Sequence, residues 1–176
     1  MTFEVHEIYD VMTVEQCVDL IEAAEDRLNP AQVGDPRSRR VDTSIRKAHN
    51  TKFHVDTDET GYIKRHLEHL SQIPIEHAEP VEVVRYMPGG LYQLHYYGDW
   101  RAFTLLIYLN DNFEGGTTHF PHVDDDGLRV LPEVGKGVFW ANERNLSLHA
   151  GDPVLHGEKW IAICHMHFKP YSNFNG

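Results

Sequence analysis

Apolar residues in the first part of the chain recur at helical intervals. Val14, Cys17, Val18, Ile21, Ala24 and Leu28 form one stripe, and Thr13 with Gln16 three positions later has the form of a capping box, so a helix is predicted from Val14 to about Leu28. Asn29-Pro30 ends it, because proline has no N–H to continue the ladder. Residues 30 to 44 contain Gly34 and Pro36, sustain no period and are predicted as loop. Ile63, His66, Leu67 and Leu70 share a face of a second predicted helix over about Asp58 to Ser71, with Thr57 as its cap and Pro74 beyond its end.

From Val81 the period shortens. Val81 to Tyr86, Tyr92 to Tyr96, Phe103 to Leu109, Gly116 to Phe120, Leu128 to Leu131, Gly137 to Trp140, Leu146 to Ala150 and Trp160 to Phe168 read as about eight strands, most of them separated by Gly, Pro, Asn or Asp. The expected fold is mainly β with flanking helices: a sandwich or jelly roll over 81–168, supported by a helical segment over 1–80, in one domain of 1–176.

The chain of 176 residues is long enough to bury a core without disulfides, and 41% hydrophobic with 24% charged residues is ordinary for a globular fold. The longest strongly apolar run, Phe103 to Leu109, is too short to cross a bilayer, and Met1 to Glu7 lacks the basic and apolar regions of a secretory signal, so a cytoplasmic protein with no membrane partner is expected. Cys17 and Cys164 form no C-x-x-C pair and are expected as buried thiols. A net charge of −11 argues against nucleic acid as a partner. Against that background Arg37, Arg39, Arg40, Arg46, Lys47 and Lys52 form one basic cluster, expected as a solvated loop face, with a patch for an anionic substrate or partner as the alternative. Thirteen histidines direct the search toward metal ligands. His165 and His167 alternate on the last strand and could join His119 or His122 in a metal site, although satisfied or surface histidines are the expectation. The sequence leaves the oligomeric state open.

Two segments carry the candidate chemistry. Tyr92-Gln93-Leu94-His95 follows the turn Pro88-Gly89-Gly90, and His149 opens a segment that runs through Pro153-Val154 to Gly157-Glu158-Lys159-Trp160. Around them stand Arg85-Tyr86-Met87-Pro88-Gly89, Arg101-Ala102-Phe103-Thr104 running into Tyr108-Leu109-Asn110-Asp111, Gly115-Gly116 and Phe139-Trp140. This ordered series resembles the prolyl 4-hydroxylase-like group of iron(II)- and 2-oxoglutarate-dependent oxygenases, and the ten-residue spacing from His149 to Lys159 matches the family's. The resemblance implies a double-stranded β-helix (jelly roll) core, ferrous iron on His95 and His149, and 2-oxoglutarate received by Lys159 and Tyr92, with Thr104 and Arg101 as further contacts. It also implies dioxygen as oxidant, room for ascorbate as an auxiliary, and hydroxylation of an unactivated C–H bond with release of succinate and carbon dioxide. The substrate it points to is a prolyl or other amino-acid side chain, as a small molecule or in a peptide.

The chemistry supports these assignments independently. Iron that must take a bidentate 2-oxo acid and then oxygen needs only a facial set of protein ligands, and two imidazoles suit it. The far carboxylate of 2-oxoglutarate, taken out of water, needs a buried cation with a hydroxyl partner. The third ligand is where the sequence departs from the family: the aspartate expected two residues after the first histidine is Tyr97. Asp99 could supply the carboxylate, Tyr97 could bind through its phenolic oxygen, or the metal could keep two histidines alone. In a straight strand Asp99 would lie about 13 Å beyond His95, so it reaches the metal only if Gly98 turns the chain. Asp99 is preferred to Tyr97 because a carboxylate is ionised near neutral pH and a phenol is not. Thr117-Thr118-His119 and Ala162-Ile163-Cys164-His165 also depart from the family, which rewrites the pocket wall. Two alternative functions follow from position 97: a degenerate relative that binds metal or a 2-oxo acid without turnover, and a halogenase-like variant, which the bulk of Tyr97 disfavours.

Overall fold

In the computed structural model, which describes residues 3–35 and 37–174, the chain runs through β1 (Val5–Ile8), α1 (Val14–Glu25), β2 (Asn29–Pro30), β3 (Arg46–Lys47), β4 (His49–Phe53), α2 (Asp58–Ser71), β5 (Val81–Tyr86) and β6 (Leu91–His95). It continues through β7 (Arg101–Tyr108), β8 (Glu114–Gly115), β9 (Thr118–Phe120), β10 (Leu128–Val130), β11 (Gly137–Ala141), β12 (His149–Gly151), β13 (Val154–His156) and β14 (Lys159–His167). Met1, Thr2 and Pro36, which entered the readings of the N-terminus and of the 30–44 loop, lie outside the described residues.

Both helices start where their first turns satisfy their own orphan N–H groups. The Thr13 hydroxyl accepts from the Gln16 N–H at 3.1 Å while Gln16 Oε1 accepts from the Thr13 N–H at 2.9 Å, and Thr57 and Thr60 make the same reciprocal pair at α2. Cys17, Leu20 and Ala24 form the buried face of α1, whereas Val14 and Val18 of the expected stripe are exposed. The helix stops at Glu25, short of Leu28, because Asn29–Pro30 is drawn off to pair with β4.

The strands form an antiparallel seven-stranded sheet in the order β1-β11-β7-β14-β5-β4-β2, facing a five-stranded sheet in the order β10-β9-β12-β6-β3, with β8 and β13 paired apart. Alternation across the large sheet divides two cores. Leu105 and Ile107 on β7, with Ala162, Cys164 and Met166 on β14, pack against the helices through Leu20, Ile63 and Leu67. Leu106 and Tyr108, with Ile161, Ile163 and Trp140 of the same sheet, face the small sheet through Phe120 and Val130. Both faces are covered, so these strands read as continuous apolar runs.

The N-terminal segment is more than a helical support. It contributes β1 and β4 to the large sheet, β3 to the small one, and the short β2 to the large sheet's edge. β4, with the sequence His-Asn-Thr-Lys-Phe, carries no apolar alternation, because Asn50 and Lys52 face a polar cavity.

One buried carboxylate fastens the ends of three strands. Glu79, 4% exposed, accepts from Arg101 Nε and Nη2 at 2.5 and 2.9 Å, contacts His167 Nε2 at 2.5 Å, and lies 3.7 Å from Lys52 Nζ. Burial alone would raise its carboxyl, yet the His167 hydrogen bond and the Arg101 guanidinium hold it well below the usual carboxylate range. The stabilisation is therefore present at neutral pH and is lost as acid brings the group into its protonated form. Glu79→Gln is expected to lower the unfolding free energy by about 3–5 kcal/mol in urea titrations, because it leaves buried cations unpaired. A loss under about 1 kcal/mol would mean that the cluster behaves as a surface network.

Candidate active site

β12 pairs with β6 so that His149 lies directly opposite His95 and Gly151 opposite Tyr92. Four residues of β6 thus stand against three of β12. In a regular strand Tyr92 and His95 would point to opposite faces; the extra residue, a bulge at the exposed Gln93 and Leu94, turns both rings to one side. Tyr92 stacks on His95 with ring centroids 3.5 Å apart, and the His95 and His149 rings lie 4.3 Å apart at 61°. Phe120 and Trp140 close around His149 at 5.4 and 5.0 Å.

Both histidines are held by the same device. His95 Nδ1 donates to the Gln93 carbonyl at 2.6 Å and His149 Nδ1 to the Ser147 carbonyl at 2.8 Å. Since a carbonyl only accepts, the proton sits on Nδ1 and the Nε2 lone pair is bare. Both Nε2 atoms are sealed from solvent and have no hydrogen-bond partner among the described residues. Burial keeps His149 down at about 4, and burial with the neighbouring His149 ring holds His95 well below its ordinary value, so both imidazoles are neutral at physiological pH. Two adjacent, neutral, unpartnered Nε2 atoms fit a soft-to-borderline divalent metal such as ferrous iron.

The structure does not bring Asp99 to this pair. Gly98 does turn the chain, at φ +79°, but the Trp100 indole fills the space beside it, 2.6 Å from where a Cβ would stand, and Asp99 is carried out to solvent. Tyr97 occupies the position instead, its ring 5.0 Å from His95, 4.7 Å from His149 and 4.3 Å from His165. Burial, with Tyr92 and Tyr86 nearby, pushes its phenol well above the ordinary tyrosine value. Among the described residues no group of three or more His, Cys, Asp or Glu side chains converges. His165 is bonded through Nδ1 to Thr104 at 2.9 Å, His167 is on Glu79 and His119 stands by Arg129, so the second metal site weighed for these histidines is not assembled.

Lys159 opens β14 opposite Tyr86 and is 2% exposed. Its ammonium faces the rings of Tyr86 at 5.1 Å and Tyr108 at 5.8 Å and makes no ion pair among the described residues. Burial lowers it to about 8, partly opposed by the Asp152 charge. Gly116, at φ +66°, gives the lysine its room: a Cβ there would lie 3.0 Å from Lys159 Cδ. Thr104 and Arg101 are not gathered with it. Thr104 bonds Asn142 and His165, and Arg101 is spent on Glu79 with its guanidinium 5.4 Å from the Tyr97 ring. Arg46 is the neighbour that sequence reasoning left in a loop: it lies over the Tyr92 ring at 4.7 Å and pairs with buried Glu82 at 2.8 Å. Its place in the basic cluster was the one signal for it.

His95→Ala and His149→Ala are each expected to abolish stoichiometric ferrous binding in anaerobic equilibrium dialysis, since each removes one of the two bare nitrogens. Asp99→Ala should leave the affinity within about twofold, as expected of an exposed side chain away from the metal. A large loss on Asp99→Ala would show that the 96–100 loop refolds onto the metal.

Comparison with known proteins agrees with this geometry. Residues 81–167 match the 2OG-Fe(II) oxygenase superfamily. The chain is 31% identical to prolyl 4-hydroxylase 1 of Arabidopsis thaliana over 94% of its own length and 69% of that protein's, and 31% identical to a putative prolyl 4-hydroxylase of Acanthamoeba polyphaga mimivirus over 84% and 67%. A probable prolyl 4-hydroxylase 10 of Arabidopsis thaliana is 29% identical, and the chain spans 64% of its length. Among solved structures, the viral collagen prolyl hydroxylase of Paramecium Bursaria Chlorella virus-1 in complex with 2-oxoglutarate superposes with a TM-score of 0.74 at 26% identity, over 92% of this chain and 94% of that one. A double-stranded β-helix with this likeness in sequence and structure belongs to the prolyl 4-hydroxylase-like family of iron(II)- and 2-oxoglutarate-dependent oxygenases.

Proposed function

We propose that the chain hydroxylates a C–H bond of a prolyl or other amino-acid substrate, with iron held by Nε2 of His95 and His149 and the distal carboxylate of 2-oxoglutarate received by Lys159 and Tyr92. The pair of bare, buried Nε2 atoms is the observation that carries this reading. When bound, iron and 2-oxoglutarate supply the oxidising power: one atom of dioxygen enters the substrate and the other enters succinate as carbon dioxide leaves.

The chain's own residues bind, orient and exclude. The Gln93 and Ser147 carbonyls hold the two imidazoles in the metal-binding tautomer. Lys159 stands in a wall of tyrosine rings, where an anion would strengthen its charged form. Phe120 and Trp140 shield His149 from water, as Tyr92 and Tyr97 do His95. Tyr97, kept as a neutral phenol by its packing, fills the place of a third protein ligand without supplying charge, which makes the metal a two-histidine site.

A second reading, binding of metal and 2-oxo acid without turnover, is favoured by one observation, the lack of a converging carboxylate among the described residues. Succinate release by the iron-loaded protein with 2-oxoglutarate, ascorbate and oxygen separates the two. Release is expected; bound 2-oxoglutarate that is never consumed would establish the second reading.

Lys159→Ala is expected to leave iron bound while raising the 2-oxoglutarate dissociation constant by at least about tenfold, because the carboxylate then enters a pocket without its cation. Wild-type affinity in that variant would move the co-substrate elsewhere. In the wild type the affinity should weaken as pH rises through about 8, where the buried lysine sheds the proton that the anion requires. Affinity that is flat across that range would contradict the role.

A further inference from the structure

A cavity of about 440 Å³ lies between the 29–54 segment and the inner face of the large sheet. Its charge is unlike that of the chain. In a protein of net charge −11, Arg39, Arg46, Lys52 and Arg101 all line this cavity, and Glu82 is the one carboxylate among the described residues that line it. Glu82 is taken by Arg46 at 2.8 Å and by the Asn50 amide. Glu79, behind the wall, is held bidentately by Arg101 and by His167, and Lys52 reaches it only at 3.7 Å. Arg39, on the exposed rim, makes no ion pair among the described residues. Of the four cations, Arg39 thus has no carboxylate partner among the described residues and Lys52 only a distant share of Glu79, and both line the same half-open cavity.

The cavity comes within one ring of the candidate metal pair: His95 and His149 do not line it, but two residues packed on His95 do. Tyr92 and Tyr97 both line it, and their rings lie 3.5 and 5.0 Å from the His95 ring. Lys159 is not among its lining residues, but Tyr92 and Tyr86, the latter 5.1 Å from the Lys159 ammonium, are, so the cavity adjoins the co-substrate position without containing its cation. A molecule there would stand beside the reacting centre with its far end among Lys52 and Arg39. A neutral substrate would leave that positive excess uncompensated, whereas a carboxylate would pair with it in a site partly withdrawn from water.

Resting on the oxygenase reading above, we propose that this cavity is the substrate site and that it selects a substrate bearing a carboxylate, received by Lys52 and Arg39. The carboxylate can belong to an acidic residue beside the target in a peptide or to a free amino acid, and the two sources are separable by experiment.

The test is calorimetric titration of the full chain loaded with manganese(II) and 2-oxoglutarate, so that no turnover occurs. The probes are a capped Ala-Asp-Pro-Ala peptide against its Ala-Asn-Pro-Ala isostere, and free L-proline against L-prolinamide. At least one acidic probe is expected to bind at least about tenfold more tightly than its neutral partner, the gain of a charge-assisted contact. Which pair shows the preference identifies the source. The preference should vanish in the double variant Arg39→Gln/Lys52→Gln and fall about threefold in Arg39→Gln alone, whose exposed position no described ion pair depends on. The 2-oxoglutarate affinity of both variants should stay at the wild-type value. Equal binding of acidic and neutral probes, or a preference that survives the double variant, overturns the proposal while 2-oxoglutarate still binds. Failure of the wild type to bind 2-oxoglutarate at all would overturn the oxygenase reading and this proposal with it.

Discussion

The register of β6 against β12 is the constraint on which the rest of the site depends. With His149 opposite His95, two imidazoles from residues far apart in sequence face each other, and each is steered by a carbonyl of its own chain segment two residues back. A slip of one residue would send either ring to the other face of the sheet. The bulge at Gln93 and Leu94 adds Tyr92 to the same side, so the ring stacking, the proposed metal ligation and the wall of the cavity all depend on one local irregularity. The large sheet provides the rigid floor: Tyr108, Trp140 and Ile161 are buried beneath the site, and strands packed on both faces have little freedom to shift.

Placing a polar site inside such a barrel forces the surrounding charges to be arranged with it. Glu79 and Glu82 are both buried, and each is matched by an arginine from a distant strand or loop. These pairs tie β3 and β7 to β5 and the segment just before it, while keeping Arg46 and Arg101 at the edge of the cavity. Stability and recognition are thus built from the same residues, and removing one carboxylate would loosen the wall as well as change its charge.

Much of this was legible in the sequence, for identifiable reasons. Capping residues and helical stripes located α1 and α2, and short apolar runs between turn residues located the strands from β5 onward. β4 was invisible because it faces the polar cavity and carries Asn50 and Lys52 where a core strand would carry apolar residues. The joint orientation of Tyr92 and His95 contradicts the two-residue period, so only the resemblance to a known family pointed to it. Gly98 supplied the turn foreseen for Asp99, but Trp100, packed beside it, sets the direction of that turn, and such packing has no signature in spacing. The resemblance implies Arg101 as a contact for 2-oxoglutarate, whereas its bidentate grip on Glu79, 22 residues away, is a tertiary event that no spacing announces.

The central claim is that the two bare Nε2 atoms, and no carboxylate, are the chain's contribution to the metal. An anaerobic crystal structure with ferrous iron and 2-oxoglutarate tests it directly. Metal is expected at about 2.0–2.2 Å from Nε2 of both His95 and His149, with no carboxylate of the chain in the coordination sphere and the distal carboxylate of the co-substrate on Lys159. Iron bound elsewhere, or bound with Asp99 folded in as a ligand, would contradict it.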